Sequence, residues 1–107
     1  MRQGEIYWMD ADDESGRRPV LVLTRNSGLS MLTSVTVAPL TTRVRTSPTW
    51  VEVAASEGMA RRSFVNLDNI QTVKGERLQE FIMRLSGARL REVAGAIEFA
   101  LGLDELR

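Results

Sequence analysis

Arg17 and Arg18 stand in tandem, and Pro19 follows at once, leading into the apolar run Val20-Leu21-Val22-Leu23-Thr24. A guanidinium is a rigid, planar fork of donors that matches the oxygens of a phosphate. Pro19 fixes its own φ, gives no ladder hydrogen bond and drives Arg18 into extended geometry. The spacing therefore predicts a cation held at a stiff strand mouth, a suitable place to grip a phosphate. The chain has no His and no Cys. That removes the commonest general acid–base group, the thiolate nucleophile and thiolate metal sites together.

Composition sets limits without naming a task. One domain of 107 residues is expected, with hydrophobic content of 43% and charged content of 26%, both ordinary for a globular chain. The absence of Cys excludes disulfides and fits a reducing compartment. Met1 to Glu5 lacks the apolar run of a signal peptide, and no stretch is long enough to cross a bilayer, so a soluble cytoplasmic protein with no membrane partner is expected. Net charge is zero, yet it is unevenly spread: residues 1–14 sum to −4, residues 15–62 to +5 and residues 63–107 to −1. Every cation of the basic middle third is Arg. Charges spread around a solvated face would be the ordinary reading of such a segment.

The elements that must position these groups are mostly short strands. Glu5 to Met9 reads as a first strand, Asp10 to Gly16 as an acidic loop, and Pro19 to Thr24 as a second strand. Alternation there sends Leu21 and Leu23 to one face and Val20, Val22 and Thr24 to the other. Ser34 to Leu40 forms a third strand, in which Pro39 predicts an edge position or a bulge. Thr49 to Val53, Ser63 to Leu67 and Ile70 to Val73 continue the sheet, and Gly75 to Phe81 reads as a turn with a brief helical piece. Ser86 is a helix N-cap, Leu90, Val93, Ala94, Ile97 and Leu101 make one face, and Gly102 stops the helix. The fold class predicted is α+β, mostly β: a small barrel of short antiparallel strands with a C-terminal helix.

Several segments in order resemble the MazF/PemK-like toxins of bacterial toxin–antitoxin systems. They are Arg2-Gln3-Gly4-Glu5-Ile6-Tyr7-Trp8, Arg18-Pro19-Val20-Leu21-Val22 followed by Asn26, and Val37-Ala38-Pro39-Leu40-Thr41-Thr42. Leu67-Asp68-Asn69-Ile70-Gln71-Thr72-Val73, Arg84-Leu85-Ser86 and Ala100-Leu101-Gly102-Leu103 follow. The resemblance implies an SH3-like barrel spanning residues 1–107 as a single domain, and a homodimer. It further implies a metal-independent endoribonuclease of single-stranded RNA that needs no cofactor. A cognate MazE-like antitoxin would inhibit it by folding a disordered acidic-apolar tail across the basic groove. By motif position, Arg18 and Thr41 match the family's two catalytic residues. The loop Asp12-Asp13-Glu14-Ser15-Gly16-Arg17 is shorter than the family's Gly-Ser-Glu loop but keeps its carboxylates, so both Asp13 and Glu14 are open for the acidic position.

RNA carries its own nucleophile, the 2′-hydroxyl beside the scissile phosphate. An enzyme must take that proton, stabilise charge on the phosphoryl oxygens and protonate the leaving 5′-oxygen. Arg18 suits the phosphate, since its pKa above about 12 makes it a poor base. Thr41 can donate its hydroxyl proton to a phosphoryl oxygen; read without the family match, it is a turn threonine satisfying local backbone. Asp13 or Glu14 can accept the 2′-hydroxyl proton. Arg17, Arg25, Thr42, Arg43 and Arg45 are expected along an RNA groove, while Asn26, Asp68, Asn69 and Gln71 are candidate base-edge readers. Trp8 is assigned to the core. A different class of function shares this barrel: CcdB-like toxins bind DNA gyrase and cleave nothing, so the fold alone does not choose. A third reading, an adaptor with a peptide groove, fits the arginine-rich middle poorly.

Overall fold

β1 (Glu5–Asp10) and β2 (Arg17–Val22) pair antiparallel in a register running from Ile6↔Leu21 to Asp10↔Arg17. The computed structural model describes residues 1–10 and 16–106, so most of the connecting acidic loop, with Asp13 and Glu14, lies outside the described residues. A single helical turn, α1 (Asn26–Leu29), leads to β3 (Ser34–Thr41), which pairs with β2 through Val20↔Pro39, Leu21↔Ala38 and Val22↔Val37. β4 (Trp50–Val53) and β5 (Ser63–Asn66) form a hairpin-like pair, followed by β6 (Gln71–Lys74), β7 (Leu78–Arg84) and the helix α2 (Gly87–Leu101). The sheet runs β4-β5-β3-β2-β1-β7, with β6 set against the first half of β3.

β2 is apolar on both faces because both are buried. Leu21 joins a cluster with Ile6, Ala38, Val53, Met83 and Val93, while Val20 and Val22 join Met9, Val35, Val37 and Val73 on the opposite face. Val53 of β4 and Met83 of β7 come from the two ends of the strand path yet share one cluster, so the sheet must curl around it. The expected small barrel is thus realised as a mostly β, antiparallel sheet with one C-terminal helix, though the barrel is not closed.

Three local expectations are corrected, and one element, α1, was not foreseen. Gly75 to Phe81 is helical only at Gly75–Arg77; from Leu78 the chain is β7, a seven-residue strand on β1. Register shifts on either side of Tyr7 break the period-two signal that would mark it. The one turn of α1 is too short to leave a periodic trace. Pro39 sits in a central strand rather than at an edge or bulge. On one side β3 passes from β6, last paired at Val37, to β5, first paired at Leu40, which leaves a gap opposite Pro39. Leu23 N–H donates to the Thr36 carbonyl, so antiparallel alternation turns the Pro39 nitrogen away from β2 into that gap.

The helix buries Val93 and Ala96 with Leu90, Ile97 and Ala100 packed alongside; Ala94 and Leu101 are exposed. The apolar side chains cover more than one stripe, and the sheet accepts only one. Its ends agree with expectation: Ser86 Oγ accepts the Arg89 N–H at 3.2 Å, and Gly102 takes the left-handed conformation with φ 58°.

Candidate active site

The start of β2 and the end of β3 lie side by side. Carried two residues past Val20↔Pro39, their register sets Arg18 across from Thr41, on one face of the sheet. Both line a cleft of about 810 Å³ with Trp8, Arg17, Thr42 and Arg61, over a floor that includes Leu40, Met59 and Ile82. Trp8 reaches this position because it pairs with Pro19 at the same end of the sheet. It is half-buried and lines the cleft, which corrects its assignment to the core.

Arg17 lies over the Trp8 ring, 5.0 Å from its centroid, and pairs with Glu80 at 3.1 Å. Its guanidinium is therefore pre-oriented from two sides. Thr41 Oγ1 accepts the Arg43 N–H at 3.1 Å, the local backbone bond expected of a turn threonine. A hydroxyl that accepts one bond still has its own proton to give, so this contact orients the group without exhausting it. Gly58, on the opposite lip, has φ +138°, and a Cβ there would stand 3.1 Å from Met83. Any larger residue would strain the turn and press on the Met83 side chain of the core.

The remaining candidates are distributed elsewhere. Arg25 lines a second cleft, of about 500 Å³, with Gln3, Thr24 and Thr36. Asn26 Oδ1 accepts the Gln3 N–H at 2.8 Å, tying the N-terminal segment to α1. Arg45 lies over Trp50 at 5.3 Å, and Arg62 over Phe64 at 5.1 Å, the two rings being 6.3 Å apart on the outer face of β4 and β5. Asp68 accepts a hydrogen bond from Thr49 Oγ1, and Asn69 follows it in the turn before β6. Gln71 pairs with Val37 in the sheet.

The cleft thus gathers Arg17, Arg18, Thr41 and Thr42, and leaves Arg25, Asn26, Arg43, Arg45, Asp68, Asn69 and Gln71 out of its lining. Arg61 and Ser63 enter it without having been singled out, and Trp8 enters it despite its assignment to the core. The Arg61-Arg62 doublet was the available signal, but sequence spacing does not say which of two neighbouring cations faces a cleft.

Among the described lining residues none is a carboxylate. Tyr7, adjacent to Trp8, is no substitute base: burial, and then its hydrogen bond to Glu5 at 2.8 Å, push its pKa up to about 12. The arrangement offers concentrated positive charge and the Thr41 hydroxyl beside it. That is chemistry for binding a phosphodiester and stabilising charge on it.

Known proteins with this fold and these motifs agree. Residues 2–101 match the family described as PemK-like, MazF-like toxin of type II toxin–antitoxin systems, and the chain belongs to that family. It is 37% identical over 100 residues to a probable endoribonuclease MazF5 of Mycobacterium tuberculosis, covering 92% of this chain and 91% of that one. It is 32% identical over 115 residues to the endoribonuclease MazF of Staphylococcus saprophyticus, covering 100% and 96%. Among solved structures, the Mycobacterium tuberculosis toxin MazF-mt6 superposes with a TM-score of 0.84 at 39% identity over 92% of this chain and 96% of that one. A mycobacterial endoribonuclease in complex with its cognate antitoxin superposes at 0.87 with 30% identity, covering 96% of each chain.

Proposed function

We propose that this chain is a MazF-type endoribonuclease toxin that cuts single-stranded mRNA in the cytoplasm and is neutralised by a cognate antitoxin. The observation that carries the reading is the meeting of Arg18 and Thr41, from separate strands, in one cleft lined by further guanidinium groups. Arg18 binds the phosphoryl oxygens and opposes the charge that grows on them, while Thr41 donates a hydrogen bond to one of these oxygens. The 2′-oxygen gives up its proton and attacks phosphorus, and the bond to the 5′-oxygen breaks. That oxygen takes a proton from Arg18 or from water, leaving a 2′,3′-cyclic phosphate and a 5′-hydroxyl end. Because RNA supplies the nucleophile, the scheme requires no metal and no cofactor. The candidates for the base are the carboxylate of Asp13 or Glu14, with water as the alternative if neither substitution stops cutting. A non-catalytic gyrase binder finds no support among the relatives described above.

The test is direct. Purified protein incubated with a long RNA in EDTA is expected to give discrete fragments with 5′-hydroxyl ends, and Arg18→Ala to lose at least a hundredfold in rate. Asp13→Asn and Glu14→Gln, made singly, identify the base by which of them abolishes cutting. Intact RNA after incubation with the wild type would refute the activity, and full-speed cutting by Arg18→Ala would refute the site.

A further inference from the structure

The guanidinium groups that reach the cleft are not held alike. Arg17 is committed to Glu80 and the Trp8 ring. Arg61 comes from the opposite lip, in the segment between the helical turn Ala55–Glu57 and β5. Its main chain is fixed, for Ser63, only 2% exposed, donates from Oγ to the Arg61 carbonyl at 2.9 Å. Its neighbour Arg62 is taken up by Glu52, at 2.7 Å, and by the Phe64 ring. The Arg61 side chain is exposed and has no acidic, aromatic or hydrogen-bonding partner among the described residues. A pinned backbone carrying a cation with no partner among the described residues, beside other cations in one cleft, is an arrangement suited to an anion.

Resting on the endoribonuclease reading, we propose that Arg61 is a substrate-binding residue that grips a backbone phosphate of the RNA next to the one held by Arg18. The strand is then clamped from both lips, and the scissile linkage is positioned over Thr41. Such a contact adds affinity and salt dependence irrespective of sequence, and it acts before the chemical step.

The probe is a pool of 2′-O-methyl RNA oligonucleotides, which lack the nucleophile and cannot be cut. Binding is followed by fluorescence anisotropy over a series of salt concentrations. Arg61→Ala is expected to weaken binding roughly fivefold to tenfold at low salt and to reduce the slope of log K against log salt by about 0.7, the value for one phosphate on a single strand. Arg61→Lys retains the slope. Arg91→Ala, an exposed cation of α2 outside the cleft, leaves affinity and slope unchanged. With cleavable RNA, Arg61→Ala raises KM and leaves kcat within about twofold.

An unchanged slope in Arg61→Ala, or an equal loss in Arg91→Ala, overturns the assignment while leaving the endoribonuclease reading intact. A wild type that neither cuts RNA nor binds the oligonucleotides overturns that reading, and this inference with it.

Discussion

Thr41 illustrates how much one hydroxyl can be asked to do. Accepting the Arg43 N–H holds its oxygen in place, and donating its proton outward is the catalytic use proposed for it. The structural and functional readings of this residue are therefore compatible, which its sequence context left as alternatives. Thr41→Ser keeps both bonds and is expected to cut at close to the wild-type rate. Thr41→Val removes both and should lower the single-turnover rate roughly 10²- to 10³-fold with little change in RNA affinity. A valine variant that cuts normally would exclude the hydroxyl from the reaction.

At the scale of elements, the cleft depends on how the lip carrying Arg61 is fastened to α2. Arg89 of the helix binds Glu57, with Nη2 to Oε2 at 2.9 Å, and also reaches Glu92 at 3.0 Å. Glu57 accepts in addition the Ala54 N–H at 2.7 Å, closing the turn that precedes the lip. The Arg89 hydrogen bonds hold the Glu57 carboxyl below its ordinary value of 4.5, outweighing a smaller upward push from burial. A depressed carboxylate pKa in the folded state contributes stability that is fully present above about pH 4.5 and is lost as pH falls through the lowered value. Glu57→Gln keeps the acceptor for Ala54 but loses the charge. It is expected to unfold at lower urea concentration than wild type at pH 7, with the difference shrinking towards pH 3. A constant difference across that range would show that the charge pair contributes nothing.

For the whole molecule, zero net charge conceals a division of labour. Several cations outside the cleft are paired with carboxylates, as in Arg62–Glu52, Arg84–Glu5 and Arg89–Glu57, while Arg17, Arg18 and Arg61 converge on one cleft. Phe99, Leu101 and Leu106 are 65%, 56% and 76% exposed near the C-terminal end, large apolar side chains of the kind that a second copy of the chain can cover. A homodimer is the expected state, and sedimentation at micromolar concentration should give twice the 12.0 kDa chain mass. Replacing Phe99 and Leu101 with Glu should return it to the monomer mass. A wild type that sediments as a monomer would end this expectation.

What the chain's sequence determined by itself is local. Strand alternation placed Leu21 opposite Val20 and Val22 because side-chain direction in an extended chain depends only on the residue's own parity. Ser86 and Gly102 marked the helix ends because capping is settled within one turn. The motif Arg18-Pro19 announced a stiff strand start for the same reason. Tertiary structure decided everything that needed a partner distant in sequence. β7 became a strand only by pairing with β1 through a shifted register, and α2 chose among its apolar stripes only when the sheet offered room for one. Arg18 and Thr41 face each other across β2 and β3, while Trp8 and Arg61 join them because the sheet curls and brings its loops to one end. Pairing register and curvature arise from packing between distant segments, so no window of neighbouring residues contains them.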